Sequence, residues 1–263
     1  MNPSNSNSGD TRRQLVTLAA VVIAFIVNVL SNIFPLNGLT IGGISNTLFK
    51  DVLIVPANYA FAIWGLIYLG LFAFAIYQVL PSQRDNPNLR KTGYLLTIAS
   101  VAQSIWVYLF LSRLFVLSVI AMLLILIPLI VMSLRLANGT TPASRAEKWF
   151  IRYPISIYLG WISVATIVNI ASALYINNWN GFGIPAQTWT VIMVIIATII
   201  AAIALLQRQD IAYSGVTVWA LIAIAIKHWE NPTLIRAALS CTFFLSIAIG
   251  LYESFIQSKR DNS

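Results

Sequence analysis

Three short sets of side chains in this sequence have the types and spacing to act together. Trp64 and Tyr68 lie four residues apart in a stretch of 23 residues, 56–78, that carries no charge. Gln103 and Trp106 lie three apart. Tyr158, Trp161, Ala165, Thr166 and Asn169 follow steps of three, four, one and three. Residues at such intervals share one face of an α-helix, so each set forms a stripe of aromatic and neutral polar groups. The chemistry open to these stripes is recognition. Indole and phenol rings stack on a flat apolar molecule, and a few amides and hydroxyls orient it. Ala165 is small among larger neighbours and lets a helix or a flat ligand come close. Gln, Asn and Thr bridging neighbouring helices would explain the same residues equally well. Asn28 and Asn32, in the first apolar run, lean towards that bridging role.

Other chemistry is excluded by what is missing. A single histidine, His228, and a single cysteine, Cys241, rule out two-histidine metal sites, histidine relays, thiolate clusters and an internal disulfide. No metal and no required cofactor are expected. No expected span holds Asp, Glu, Lys or Arg near its centre, and Glu253 lies close to the end of the last one. Proton- and ion-coupled carriers keep such a group at mid-membrane, so a proton-driven carrier is not expected. The absence of a nucleophile–base pair points away from an enzyme.

The elements that must position these residues follow from composition. The chain of 263 residues is 59% hydrophobic and 9% charged, against about 25% charge in a soluble domain. Its mean hydropathy is +0.81. An all-α, polytopic membrane protein with the lipid bilayer as its surroundings is expected. About 20 apolar residues in a helix cross a hydrocarbon core. Apolar runs predict eight helices near 15–34, 56–80, 93–111, 114–134, 151–176, 188–206, 211–228 and 233–255. The third and fourth are joined by a tight turn at Ser112–Arg113. The seventh is the weakest, because Tyr213, Ser214, Gly215 and Thr217 dilute its start. Residues 1–14 are polar and predict a disordered tail. Leu15 to Phe34 is long enough to span and reads as a retained first helix, not a signal peptide.

The charges test this count. The N-terminus, the even-numbered loops and the C-terminus collect twelve of the sixteen Lys and Arg, from Arg12 and Arg13 to Lys259 and Arg260. Lys50, Arg113, Lys227 and Arg236 fall on the other side. Basic residues favour the cytoplasmic side, so both termini are expected there, in the cell membrane. The net charge of +8 is thus placed by membrane insertion and implies no nucleic-acid partner. Trp149, Trp179, Trp189 and Trp229 fall at span ends and read as an interfacial aromatic belt. Trp64, Trp106, Trp161 and Trp219 lie deeper, where an indole N–H needs a partner.

The spacing of these residues resembles a known pattern. Pro56, Trp64 and Tyr68 are similar to the second-helix signature of the tryptophan-rich sensory protein / translocator protein family (TspO/MBR). Gln103 and Trp106 resemble its third-helix Asn-x2-Trp, with Gln in place of Asn. Tyr158, Trp161, Ala165, Thr166 and Asn169 resemble its fifth-helix motif. The resemblance covers residues 15–180, a five-helix unit, and leaves 181–263 as three further helices and a short tail. It departs at Asn58, Ala62 and Ile157, which stand where the family pattern has tryptophan, proline and proline. It implies binding of porphyrins, haem-like tetrapyrroles or sterol-like molecules. Trp64, Tyr68, Gln103, Trp106, Tyr158, Trp161, Ala165, Thr166 and Asn169 would line or orient that site. Transport or sensing would be the use of such binding. The expected partners are a hydrophobic small molecule and, in a homodimer, a second copy of the chain. The alternatives are an enzyme that degrades a bound tetrapyrrole through Trp and Tyr radicals, and a structural or sensory membrane protein without a ligand.

Overall fold

Hydrocarbon offers a peptide group no hydrogen-bond partner, so a chain this apolar must satisfy its backbone internally, by helices or a closed barrel. A computed structural model describes residues 3–137 and 144–261 and shows the first solution. Met1, Asn2, Asn262 and Ser263, which end the two expected tails, lie outside the described residues. No strand occurs among the described residues. The long helices are α1 (Pro3–Ile33), α2 (Ile63–Val79), α3 (Leu95–Leu111), α4 (Phe115–Ala137), α5 (Tyr153–Ile176), α6 (Ala186–Arg208), α7 (Ile211–Lys227) and α8 (Pro232–Asp261). Each matches one expected apolar run. Among the described residues six apolar helical spans are long enough to cross a membrane: those of α1, α4, α6 and α8, that of α2 taken from Asn58, and that of α5 taken from Arg145. The apolar helices α3 and α7 are shorter, at 17 residues each.

By its contacts the chain separates into two units, residues 1–44 with 62–162, and residues 45–61 with 163–263. The division falls inside α5, not at residue 180. In the first unit α1 packs on α2 and α3, and α3 packs on α4. The α3–α4 connection is the tight turn expected at Ser112–Arg113. Arg113 adopts a left-handed φ of 61°. Its N–H bonds the Phe110 carbonyl at 3.0 Å and that of Leu114 bonds Leu109 at 2.9 Å, closing the end of α3.

The expected tail gives way here. From Gly9 onward the polar residues before Leu15 continue α1, and Arg13 and Gln14 are buried. Arg13 donates to the Leu89 carbonyl. Asp10 pairs with Arg13 and with Arg90. Gln14 and Gln78 each donate to the other's backbone carbonyl. Leu89, Gln78 and Arg90 lie 64 to 80 residues from these partners, so local composition carries no sign of them.

In the second unit α6, α7 and α8 pack against one another. The polar start of α7 is absorbed by its neighbours. Asp210 caps the helix by accepting from the Tyr213 N–H at 3.0 Å, and the Ser214 hydroxyl donates to the Ala201 carbonyl of α6 at 2.9 Å. The segment 45–61 is fastened to α7. The Ala57 N–H bonds the Ala223 carbonyl at 3.0 Å. The Trp219 indole donates to the Ala60 carbonyl at 3.1 Å, and the Trp219 ring meets that of Tyr59 edge to face at 5.1 Å.

The crossing of α2 and α5 in the first unit needs a glycine. A Cβ at Gly70 would stand 3.1 Å from the Pro154 Cβ and 3.3 Å from its Cα. Gly70→Val therefore forces the helices apart and should cost about 1–3 kcal/mol. Gly65, on the same helix, faces open space. Thermal unfolding of the purified protein should show a lowered midpoint for Gly70→Val and little change for Gly65→Ala. Equal midpoints would contradict the close crossing.

Candidate functional site

Two of the three sequence stripes meet in the first unit as a hydrogen-bonded chain. The Tyr158 hydroxyl of α5 donates to Gln103 Oε1 of α3. Gln103 Nε2 donates to the Tyr68 hydroxyl of α2 at 2.6 Å. Tyr68 donates in turn to the Ala24 carbonyl of α1 at 3.1 Å. Four helices are tied by three bonds. Tyr158, Gln103 and Tyr68 are 0%, 1% and 4% exposed, so each bond lies where water cannot replace it. The rings close around this chain. Trp64 lies 5.7 Å from Tyr68 and 6.1 Å from Tyr158, and Phe25 meets Tyr68 edge to face at 5.2 Å.

The other expected site residues divide between the units. Trp106 is buried in the first unit and stacks on Phe110 at 5.0 Å. Trp161 is buried there too. Ala165, Thr166 and Asn169 belong to the second unit, with Thr166 and Asn169 buried. The first unit thus brings together Trp64, Tyr68, Gln103 and Tyr158.

A ligand-sized space lies wholly within the second unit. It is a cavity of about 400 Å³, inside the range of small-molecule sites, about 300–1,000 Å³. Ile167, Ile170, Ala171 and Leu174 of α5 form one wall. Asp51, Val52, Leu53 and Ile54 form a second, and Ala186, Trp189, Thr190 and Met193 of α6 a third. Tyr175, Trp179, Asn180, Gly181 and Ile184 complete it. None of the nine residues of the three stripes is among these. At about 100° per residue, Ile167, Ile170, Ala171 and Leu174 lie on the face of α5 opposite Tyr158, Trp161, Ala165 and Asn169.

The α5–α6 connection builds the aromatic end of this cavity. Asn180 Oδ1 accepts from the Phe182 N–H at 3.1 Å, and Gly181 takes a φ of +66°. That turn aims the Gly181 carbonyl at Trp189, whose indole donates to it at 2.9 Å. A Cβ at Gly181 would stand 3.3 Å from the same indole nitrogen. Both the backbone conformation and the close approach require glycine there. Trp179 and Trp189 are held with ring centres 5.4 Å apart. These two tryptophans, expected in an interfacial belt, line the cavity. The sequence does carry a signal for this: two tryptophans ten positions apart around Gly-Phe-Gly.

The second wall is fixed from behind. The buried ring of Phe49 meets Tyr175 edge to face at 6.5 Å, and the Val52 N–H bonds the Phe49 carbonyl at 3.1 Å. His228 hydrogen-bonds the Leu53 backbone. Burial, and then the charge of Lys227, hold this imidazole below its ordinary value, so it is neutral at pH 7.

A family model described as TSPO-like protein matches residues 14–251. The matched span runs past residue 180 and takes in α6, α7 and most of α8. Neither a curated protein nor a solved structure matches the chain.

The buried chain of bonds makes a specific demand on Gln103. Gln103→Leu leaves the Tyr158 hydroxyl without its acceptor and removes the donor to Tyr68, and each orphaned buried group costs about 1–3 kcal/mol. Asn32 is exposed and bonds only within its own helix, so Asn32→Ala should change stability by about 0.5 kcal/mol or less. Unfolding followed by far-ultraviolet circular dichroism should rank the two in that order. A Gln103→Leu protein as stable as the parent would contradict the tying role.

Proposed function

The chain belongs to the TSPO-like protein family, and on that premise we propose that it binds a flat, hydrophobic small molecule in the cavity of its second unit. It is an integral, multi-pass membrane protein. The observation that carries the proposal is the cavity itself: about 400 Å³ with largely apolar walls and the rings of Tyr175, Trp179 and Trp189 at one end. A flat polycyclic body buries its faces against such walls, at about 25 cal/mol per Å² of apolar surface, and offset stacking on indole adds about 0.5–1.5 kcal/mol per pair. Thr190 and Asn180 are among the few polar side chains available to orient it. Molecules with a tetrapyrrole or sterol-like body have the required character.

On this reading the residues of the signature stripes have a different task. Tyr68, Gln103 and Tyr158 hold four helices in register, and their hydrogen-bonding groups are already engaged with one another. Trp64 packs on that seam, and Trp106 and Trp161 are buried in the same unit. The protein acts as a binding module, with transport or sensing as the consequence of binding, and not as an enzyme.

The charge asymmetry supports an orientation with both termini in the cytoplasm. Segment 45–61 and the α5–α6 connection, which supply the cavity's second wall and aromatic end, then face outward. In a Cys241→Ser background, an impermeant thiol reagent added to intact cells should label a cysteine at Asn46 and spare one at Asn86. The reverse pattern would overturn the orientation.

Octaethylporphyrin, an uncharged flat tetrapyrrole, tests the binding. It should quench tryptophan fluorescence saturably in the detergent-solubilised full chain. Ala171→Phe, which pushes a ring into the cavity, should weaken that binding at least tenfold while the protein keeps its helical signal. Absence of saturable quenching, or equal affinity in Ala171→Phe, would contradict the proposal.

A further inference from the structure

Asp51 is the one formally charged side chain in the wall of an otherwise nearly apolar cavity. Its backbone is not free to swing away. Phe49 is buried just before it, Val52 and Ile54 are buried just after it, and Ala57 and Ala60 are bonded to α7. The Tyr175 hydroxyl, 3.5 Å from Asp51 Oδ2, sits on the same wall. The indoles of Trp179 and Trp189, whose faces attract cations, line the same cavity.

The nearest countercharge does not take up this carboxylate. Lys227 feels the charge of Asp51, but no ion pair joins the two among the described residues. The Lys227 Nζ is buried without a hydrogen-bond partner. His228 is turned to the Leu53 backbone and is neutral at pH 7. Lys50 is exposed and is not part of the wall. The carboxylate is therefore the charge that a bound molecule meets.

We propose that the cavity selects organic cations, with Asp51 as the counter-ion of an ammonium or amidinium group carried on a flat apolar body. This rests on the cavity being the binding site, and it narrows what that site accepts. A cation gains from the carboxylate and from the indole faces together. A neutral body of the same shape gains only burial. An anion meets repulsion from Asp51, an exposed residue of the cavity wall. Flat dicarboxylates are thus the poorest ligands, although their ring systems suit the walls.

Three tricyclic probes of matched shape separate these cases: 9-aminoacridine, which is a cation at pH 7, neutral anthracene, and the anion anthracene-9-carboxylate. Equilibrium dialysis against the full chain in an uncharged detergent measures each. The cation should bind about tenfold or more tighter than anthracene, and the anion weaker than both. Asp51→Asn should remove most of the cation's advantage and leave anthracene unchanged, while Asp51→Glu should retain it. If anthracene binds saturably but the cation shows no advantage, or keeps it in Asp51→Asn, the charge selection is wrong and the binding site stands. If none of the three binds, the binding site itself is wrong, and the selection falls with it.

Discussion

A polar atom inside a hydrocarbon layer must find its partner within the protein, because neither lipid nor water will supply one. The arrangement of this chain follows from that requirement. It makes the backbone helical throughout its spans. It makes Gln103 valuable, since an amide that donates and accepts at once can join the hydroxyls of two tyrosines and reach a fourth helix through a backbone carbonyl. It also explains why the polar face of α7 turns to α6 and why the indole of Trp219 is spent on the Ala60 carbonyl.

The same requirement sorts the two faces of α5. Its signature face bears Tyr158 and Asn169, groups that need partners and are buried. Its opposite face bears Ile167, Ile170, Ala171 and Leu174, which need none and can border an open space. A void lined by polar groups in this environment would leave them unpaired, whereas one lined by branched aliphatics and indoles costs only lost packing. Cavity and seam therefore divide the helix by chemistry, and the turn at Gly181 adds the aromatic end by holding Trp189 through its N–H.

The helices were legible in the sequence because apolar length and basic-residue placement are local quantities. Ser112 and Arg113 marked a tight turn, and one is there. The polar residues before Leu15 misled for the complementary reason. Asp10, Arg13 and Gln14 look like a solvated tail until Arg90, Leu89 and Gln78 are brought beside them by the fold. Tyr68, Gln103 and Tyr158 stood out by helical spacing and are joined by hydrogen bonds in the fold, but spacing could not distinguish a hydrogen-bonded seam from a ligand wall. The cavity was hidden more deeply. Asp51, Leu174 and Trp189 come from segments far apart in the chain, and an empty volume is a property of how side chains fail to fill space, which no single segment records. Trp179 and Trp189 sat at span ends, where the interfacial reading of tryptophan is the ordinary one.

In the proposed binding mode the ligand lies against the aliphatic face of α5 and not in the signature seam. Photoaffinity labelling decides this directly: a diazirine derivative of a flat polycyclic hydrocarbon is irradiated with the full-length protein, and the adducts are located by mass spectrometry. Adducts at Ile167, Ile170, Leu174 or Met193, displaced by excess unmodified hydrocarbon, are the predicted result. Displaceable adducts confined to Trp64, Trp106 or Trp161 would contradict it.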